Sequence, residues 1–171
     1  MKRFAKIRNN GGFSLVELLV AIIILGLVGT VVAGGVPAAV GAYKKVVEKA
    51  NAQLLLTTTT NALRNELDTA SNISEGDGGT SLSFINSRNY NLKIKSAADG
   101  IKVEYVEEGS SDPVSYLLVS EAAASKNLRV IFANIDYDAA TGTITITDMK
   151  VLNNENKQLA SLGTYTINVL R

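Results

Sequence analysis

The chain has 171 residues and a formal net charge of +1, which suits one globular domain with one additional element. It contains neither cysteine nor histidine. Disulfides, thiol catalysis, Cys-ligated zinc and every catalytic arrangement built on a histidine base are therefore excluded. These common catalytic parts are missing, and although an enzyme built on other residues stays open at this point, we expect no enzyme and no cofactor.

The first 12 residues carry basic side chains and no acid, whereas the remainder of the chain is negative on balance. The basic residues are Lys2, Arg3, Lys6 and Arg8. A cationic cluster directly before an apolar run is typical of a targeting signal, and nothing in the chain resembles a basic nucleic-acid-binding face. We therefore predict a leader at the N-terminus and no direct nucleic-acid site.

Residues 18–42 form an uncharged, apolar run of 25 residues. A helix of about 20 residues crosses the hydrocarbon core of a bilayer at a rise of ~1.5 Å per residue, so this run is long enough to span it. Basic flanks stay on the cytoplasmic side of a membrane. We therefore predict a single-pass protein of the cytoplasmic membrane, with its N-terminus inside the cell and its head outside.

Three interpretations of the apolar run are open, and Glu17 near its start separates them. The run is a cleaved secretory signal, a plain signal anchor, or a helix that stays with the protein after a cut just before it. An acid in a membrane helix is costly and usually functional, and the first two interpretations give Glu17 no role. A cut between Gly12 and Phe13 creates a cationic α-amino group one helical turn before Glu17, in the same chain or a neighbouring one.

The stretch "GGFSLVELLVAIIILGLV" (residues 11–28) resembles the class III signal of type IV prepilins and of type II secretion pseudopilins. The shared features are a short basic leader that ends in Gly12, an aromatic residue at Phe13, Glu17 five residues into the mature chain, and an apolar helix. The resemblance covers about residues 1–45. It implies cleavage after Gly12 and N-methylation of Phe13 by a prepilin peptidase, and assembly with other pilin subunits on a pilus or secretion platform.

Small residues are spread through the second half of the apolar run. Many major pilins have a glycine and then a proline near the middle of this helix, whereas here Gly26, Gly29, Gly34 and Gly35 are dispersed and Pro37 comes three residues later. Glycine and proline both weaken a helix interior, which favours a kinked or extendable section. The alternative is that small residues allow close helix packing, and the two interpretations are compatible.

From residue 43 to about residue 71 the pattern becomes amphipathic, with apolar residues at spacings of 3 and 4. The predicted buried stripe consists of Tyr43, Val47, Ala50, Leu54, Leu56, Thr60, Leu63, Leu67 and Ala70. The threonines at 57–60 are weak helix formers, but packing can hold them in a helix. We predict one helix over residues 14–71; the alternative is two helices, with a break near Gly34 and Gly35 or in the threonine run.

After a turn-rich stop at residues 71–81, the hydrophobic period changes to 2. Predicted strands cover residues 81–85, 90–95, 101–107, 114–119, 128–135, 143–152 and 164–170. Gly100 and Gly142 suit positive φ in two connecting turns, and residues 120–126 form a short helix or an exposed connection. We predict an α+β, pilin-like fold in which one face of a mostly antiparallel sheet covers the apolar stripe of the long helix.

The predicted head offers only weak candidates for chemistry. Asp136 and Asp138 alternate before a hairpin turn and supply oxygen ligands that suit calcium. No downstream glutamate completes a calcium set, so a turn-forming role is the better interpretation and we expect no metal site. Glu104, Glu107 and Glu108 could form a carboxylate pair for glycoside chemistry, but a solvated strand face explains them better.

We predict four segments: a basic leader at 1–12, a membrane and filament-core helix at 13–42, an amphipathic helix at 43–71, and a β-rich head at 72–171. On the resemblance, the chain is a structural subunit, a major or minor pilin, of a type IV pilus-like filament that becomes extracellular after assembly. The alternative is a pseudopilin of a type II secretion or competence system. A third hypothesis, a signal-anchored surface enzyme or binding module, predicts no cut after Gly12.

Overall fold

A computed structural model describes residues 12–106, 113–119 and 127–170. Most of the predicted leader, Glu107, Glu108 and the segment 120–126 lie outside the described residues. The chain divides into two compact units, Met1–Lys45 and Val46–Arg171.

One continuous helix, α1, covers Leu15–Leu67 and includes Pro37. The predicted helix over 14–71 is confirmed apart from its ends, and the alternative with a break in the helix is wrong. In the threonine run, the hydroxyls of Thr57, Thr59 and Thr60 donate to carbonyl oxygens four residues earlier, at 2.8 to 3.0 Å. Each hydroxyl therefore has a partner within the helix, and these β-branched residues continue it rather than end it.

The buried face of α1 differs from the predicted stripe in its first half. The buried helix residues are Ala52, Leu55, Thr59, Thr60, Leu63 and Leu67. Leu54, which we predicted to be buried, is 64% exposed, and Tyr43 is 71% exposed. Residues 54–56 are three consecutive leucines, so the helical period alone does not select which of them faces the core.

Five antiparallel strands in chain order form the first sheet. They are β1 (Ser71–Gly76), β2 (Ser81–Ile85), β3 (Asn91–Ala97), β4 (Gly100–Val106) and β5 (Pro113–Leu117). The prediction of a turn over the whole of 71–81 is wrong, because β1 pairs with β2 through Ser74 and Ser83. The turn itself is the short 3-10 segment Asp77–Gly79. The alternation of apolar residues does not reveal β1, because Ile73 is its only apolar residue and backbone pairing with β2 defines this polar edge strand.

The second sheet contains β6 (Leu128–Ile131), β7 (Asn134–Asp138), β8 (Thr143–Asn153) and β9 (Gln158–Asn168). The single strand predicted over 128–135 is divided into β6 and β7. Both strands pair with β8, and they keep a common register, since Ile131 lies opposite Lys150 and Asn134 lies opposite Thr147. β9 pairs with β8 along nearly its whole length.

A backbone irregularity in β8 explains why β6 and β7 are separate. Ile144 and Ile146 are buried, but the next buried residues are Met149 and Val151, so the inward-facing phase shifts between Ile146 and Met149. Asp148 lies at this shift with φ of +54°. A residue in the left-handed region interrupts the alternation of a strand, so both halves of β8 turn their apolar side chains to the core.

Replacing Asp148 with valine is expected to lower the free energy of unfolding by ~1–2 kcal/mol, because a β-branched residue fits the left-handed region poorly. Asp148→Asn is the matched control, since asparagine tolerates this conformation and should cost less than half as much. Both effects are measured by thermal unfolding of the full chain in mild detergent, followed by circular dichroism. Equal costs for the two variants would contradict the assignment of strain to Asp148.

The buried side chains of α1 and of both sheets form one hydrophobic core. Its largest fully buried members include Phe84, Leu63, Ile94, Ile135 and Met149. Two hydrogen bonds link the first sheet to the second. Ser96 Oγ accepts the Phe132 N–H at 3.1 Å, and Glu75 Oε1 accepts the Tyr137 N–H at 2.6 Å. The α+β prediction, a long helix with a mostly antiparallel β head, is confirmed.

Two turn predictions are also confirmed. Gly100 has φ of +140° where β3 turns into β4, and Gly142 has φ of +67° in the turn between β7 and β8. A side chain at Gly100 would also approach Leu117 Cδ2 at 3.1 Å. Glycine is therefore required at this turn both for its backbone conformation and for the space beside it.

Candidate processing and assembly site

The side chains of Ser14 and Glu17 cap the first turn of α1, and each accepts one backbone N–H. Ser14 Oγ accepts the Val16 N–H at 3.2 Å, and Glu17 Oε2 accepts the Ser14 N–H at 3.0 Å. The Ser14 carbonyl accepts the Leu18 N–H at 3.1 Å, which begins the helical ladder. This arrangement is a variant of the capping box in which the serine hydroxyl accepts the N–H of the second helical residue instead of the third, and it satisfies backbone N–H groups that a helix otherwise leaves without partners at its N-terminus.

Glu17 therefore has a local role that the sequence analysis missed. The signal was present, because Ser14 followed three residues later by Glu17, just before an apolar run, is the pattern of a capping box. The carboxylate also lies in the first turn, where the helix dipole favours negative charge. An acid at the start of an apolar helix is therefore compatible with the helix itself before any second chain is considered.

The predicted cleavage site lies just outside the helix. Gly12 and Phe13 have no regular secondary structure, and Phe13 is 85% exposed. A side chain added at Gly12 would meet nothing within 4 Å. The Gly12–Phe13 bond is therefore in a non-helical, exposed stretch, the kind of backbone that a peptidase can approach.

The N-terminal part of α1 exposes a long apolar surface. Every described residue from 12 to 40 is exposed, including Ile22, Leu25 and Val31, which are 62%, 70% and 72% exposed. By length and composition this helix is suited to cross a membrane. An apolar surface of this extent is not stable in water and requires lipid or other protein chains to cover it.

Small residues leave open space along the same surface. Side chains added at Gly26, Gly29, Gly34 or Gly35 would meet nothing within 4 Å. These positions permit another helix backbone to approach closely. Since α1 is continuous through Pro37, the isolated chain has the helical form, and an extended section would belong to another state of the protein.

The N-terminal segment also matches a family model. Residues 7–33 match the model described as the prokaryotic N-terminal methylation motif. The chain carries this methylation motif, which is the class III signal of type IV pilins and pseudopilins. The match confirms the resemblance drawn from the residues between the leader and the apolar helix. No curated protein and no solved structure matches the chain.

Of the acidic candidates of the head, Asp138 forms a turn, whereas Asp136 and Glu104 lie within strands. Asp138 Oδ1 accepts the Ala140 N–H at 2.9 Å and Oδ2 accepts the Thr141 hydroxyl at 2.8 Å, while Asp136 Oδ2 accepts an amide hydrogen of Asn134 at 2.7 Å. Within the described residues, no three Asp or Glu side chains lie close enough to share a metal ion. Glu104 forms an ion pair with Lys95 on the sheet surface.

Three surface aspartates have lowered pKa values, each because of a hydrogen bond to its carboxylate. Lys93 Nζ, 2.7 Å from Asp77, lowers the pKa of Asp77, and the Ser81 hydroxyl adds to this effect. The Lys102 ammonium lowers the pKa of Asp99, and the Thr141 hydroxyl lowers the pKa of Asp138. These groups bind protons less readily in the folded than in the unfolded chain.

The head is therefore expected to lose stability in acid. A carboxylate with a lowered folded pKa contributes stability above its unfolded pKa of 3.8 and loses it as the pH falls through the folded value. Melting temperatures of the full chain from about pH 6 to about pH 2 measure this loss. Asp77→Asn should make the fall of the melting temperature below about pH 4 less steep. An unchanged slope would contradict the lowered pKa of Asp77 as a source of this stability.

Proposed function

We propose that the chain is the precursor of a pilin-like filament subunit. The leader, residues 1–12, is removed by a prepilin peptidase, Phe13 becomes the N-methylated mature N-terminus, and the helix of residues 13–42 forms the filament core. The β-rich head, residues 72–171, faces outward, and the amphipathic helix of residues 43–71 packs against it through its buried residues between Ala52 and Leu67. The observation that carries this proposal is the methylation motif on a helix whose apolar N-terminal part, up to residue 40, is exposed.

The exposed helix explains why the subunit needs two successive environments. Before assembly, lipid covers the apolar residues in a single-pass membrane anchor with the N-terminus in the cytoplasm. In a filament, neighbouring helices replace lipid around the same surface, and the glycines allow close contact between them. Close packing of these helices supplies the cohesion of the filament core.

Glu17 has two roles in this proposal, one for each carboxylate oxygen. Oε2 accepts the Ser14 N–H of its own chain, whereas Oε1 takes no hydrogen bond from any described residue. Cleavage before Phe13 creates an α-amino group with an ordinary pKa of about 7.7–8.0, which is mostly cationic at neutral pH. The amine of a neighbouring subunit pairs with Oε1, and this pair neutralises both charges and sets the axial register between helices.

The same N-terminus serves several kinds of filament subunit. We place the chain among the pilins, major or minor, and keep a pseudopilin of a type II secretion or competence system as the alternative. All of these are structural subunits that a membrane assembly platform combines with other pilin chains. The lack of cysteine excludes the disulfide that closes the C-terminal loop of many Gram-negative pilins.

Cleavage is tested by co-expressing the full chain with a prepilin peptidase and following the loss of the leader by electrophoresis. The wild type should be shortened, and Gly12→Val should remain uncut. Space around Gly12 is open, so a valine there does not disturb the fold. Gly11→Val is the matched control and should still be cut. A wild-type chain that stays intact would favour a signal-anchored protein of another class, and one that starts downstream of the apolar run would favour a cleaved secretory signal.

A further inference from the structure

A short cationic segment lies directly after the apolar run and is not explained by processing or helix packing. Tyr43, Lys44 and Lys45 are all exposed in α1, and Tyr43 is 71% exposed. Neither lysine forms an ion pair with any described residue, whereas four lysines of the head, Lys93, Lys95, Lys102 and Lys150, each do. The next acid along the chain, Glu48, accepts a hydrogen bond from Asn153 at 3.4 Å.

The position of this segment along the helix matches the boundary of a bilayer. The uncharged run of residues 18–42 is about 37 Å long at ~1.5 Å per residue, longer than the ~30 Å hydrocarbon core, and a tilt of about 37°, near the upper end of the range seen for membrane helices, accommodates it. Residues 43–45 then fall among the lipid headgroups. Tyrosine is enriched at that depth because its ring is apolar and its hydroxyl is polar, and lysine extends its ammonium group toward the headgroup phosphates.

We propose that Tyr43, Lys44 and Lys45 form a binding surface for the headgroup phosphates of anionic phospholipids in the leaflet at the C-terminal end of the apolar helix. The two ammonium groups supply the positive charge, and the tyrosine holds the helix at the depth where they reach phosphate. Lipid is favoured over a protein partner because the lysines follow the apolar run without a gap. Each lysine near an anionic surface strengthens binding about five-fold.

This proposal rests on the membrane-anchored state given under the proposed function, but not on cleavage, methylation or filament assembly. The uncut chain is therefore the right material for its test, and a failure of processing would leave it intact. The leader has four basic residues that also attract anionic lipid. Because every variant keeps them, the test rests on the difference in lipid affinity between variants and not on the affinity of the wild type alone.

The test compares the affinities of the full chain, in mild detergent, for phosphatidylglycerol and for phosphatidylcholine by native mass spectrometry. The wild type should prefer phosphatidylglycerol, and Lys44→Gln with Lys45→Gln should reduce that preference by roughly 5- to 30-fold. Lys44→Arg with Lys45→Arg should retain it. Arg88→Gln with Lys157→Gln removes the same charge from exposed positions of the head and should change nothing.

Three outcomes would overturn the proposal. An unchanged preference in the glutamine variant means that the lysines do not bind lipid. An unchanged preference combined with a lower filament yield means that they meet a neighbouring subunit instead. A loss of preference in an excess of inorganic phosphate identifies a site for free phosphate and also counts against a lipid surface.

Discussion

Replacing Glu17 with glutamine should leave cleavage and methylation intact and abolish incorporation into filaments. Glutamine is accepted at the third position of a capping box, so the hydrogen bond to the Ser14 N–H is retained. The negative charge is lost, and with it the proposed partner for the α-amino group of a neighbouring subunit. The yield of subunit in sheared filaments, compared with the amount of processed subunit in the membrane, measures the effect.

Ser14→Ala is the matched variant because it changes the cap and keeps the charge. It removes the hydroxyl that accepts the Val16 N–H, which costs about 1 kcal/mol of helix stability. We expect filament yield within about two-fold of the wild type, since the helix is long and neighbouring helices surround it in the proposed filament. If Ser14→Ala abolished assembly and Glu17→Gln did not, the role of this turn would be capping alone.

Replacing Leu63 with alanine should destabilise the head by about 2–5 kcal/mol, because Leu63 is fully buried in the core. Leu54→Ala makes the same chemical change on the same helix, but Leu54 is 64% exposed and the cost should stay below about 0.5 kcal/mol. Chemical unfolding of the full chain in detergent, followed by circular dichroism, gives both values. Similar costs would mean that the helix packs through the stripe expected from its sequence.

Much of the fold could be predicted from local pattern. The long helix, the two glycine turns and most strands followed from helical spacing, positive-φ positions and alternation of apolar residues. The choice among Leu54, Leu55 and Leu56 could not, because it depends on which leucine meets the sheets. The polar strand β1 was missed for a similar reason, since pairing with β2 creates it and its own side chains do not reveal it.

The residues of the candidate site could be predicted from the sequence, whereas their hydrogen bonds were not predicted. The spacing of Gly12, Phe13 and Glu17 indicated the methylation motif that the family model matches. The Ser14 cap was missed, although the sequence indicates it by a serine three positions before a glutamate. That cap changes the interpretation of Glu17, because one oxygen already accepts a hydrogen bond within its own helix, whereas the other accepts none from a described residue.

The most direct test of the account is the mass of the N-terminal peptide of the protein isolated from cells that make it. The account predicts a peptide that begins at Phe13 and carries one methyl group on its α-amine. A protein that retains Met1, or begins downstream of the apolar run, would contradict it.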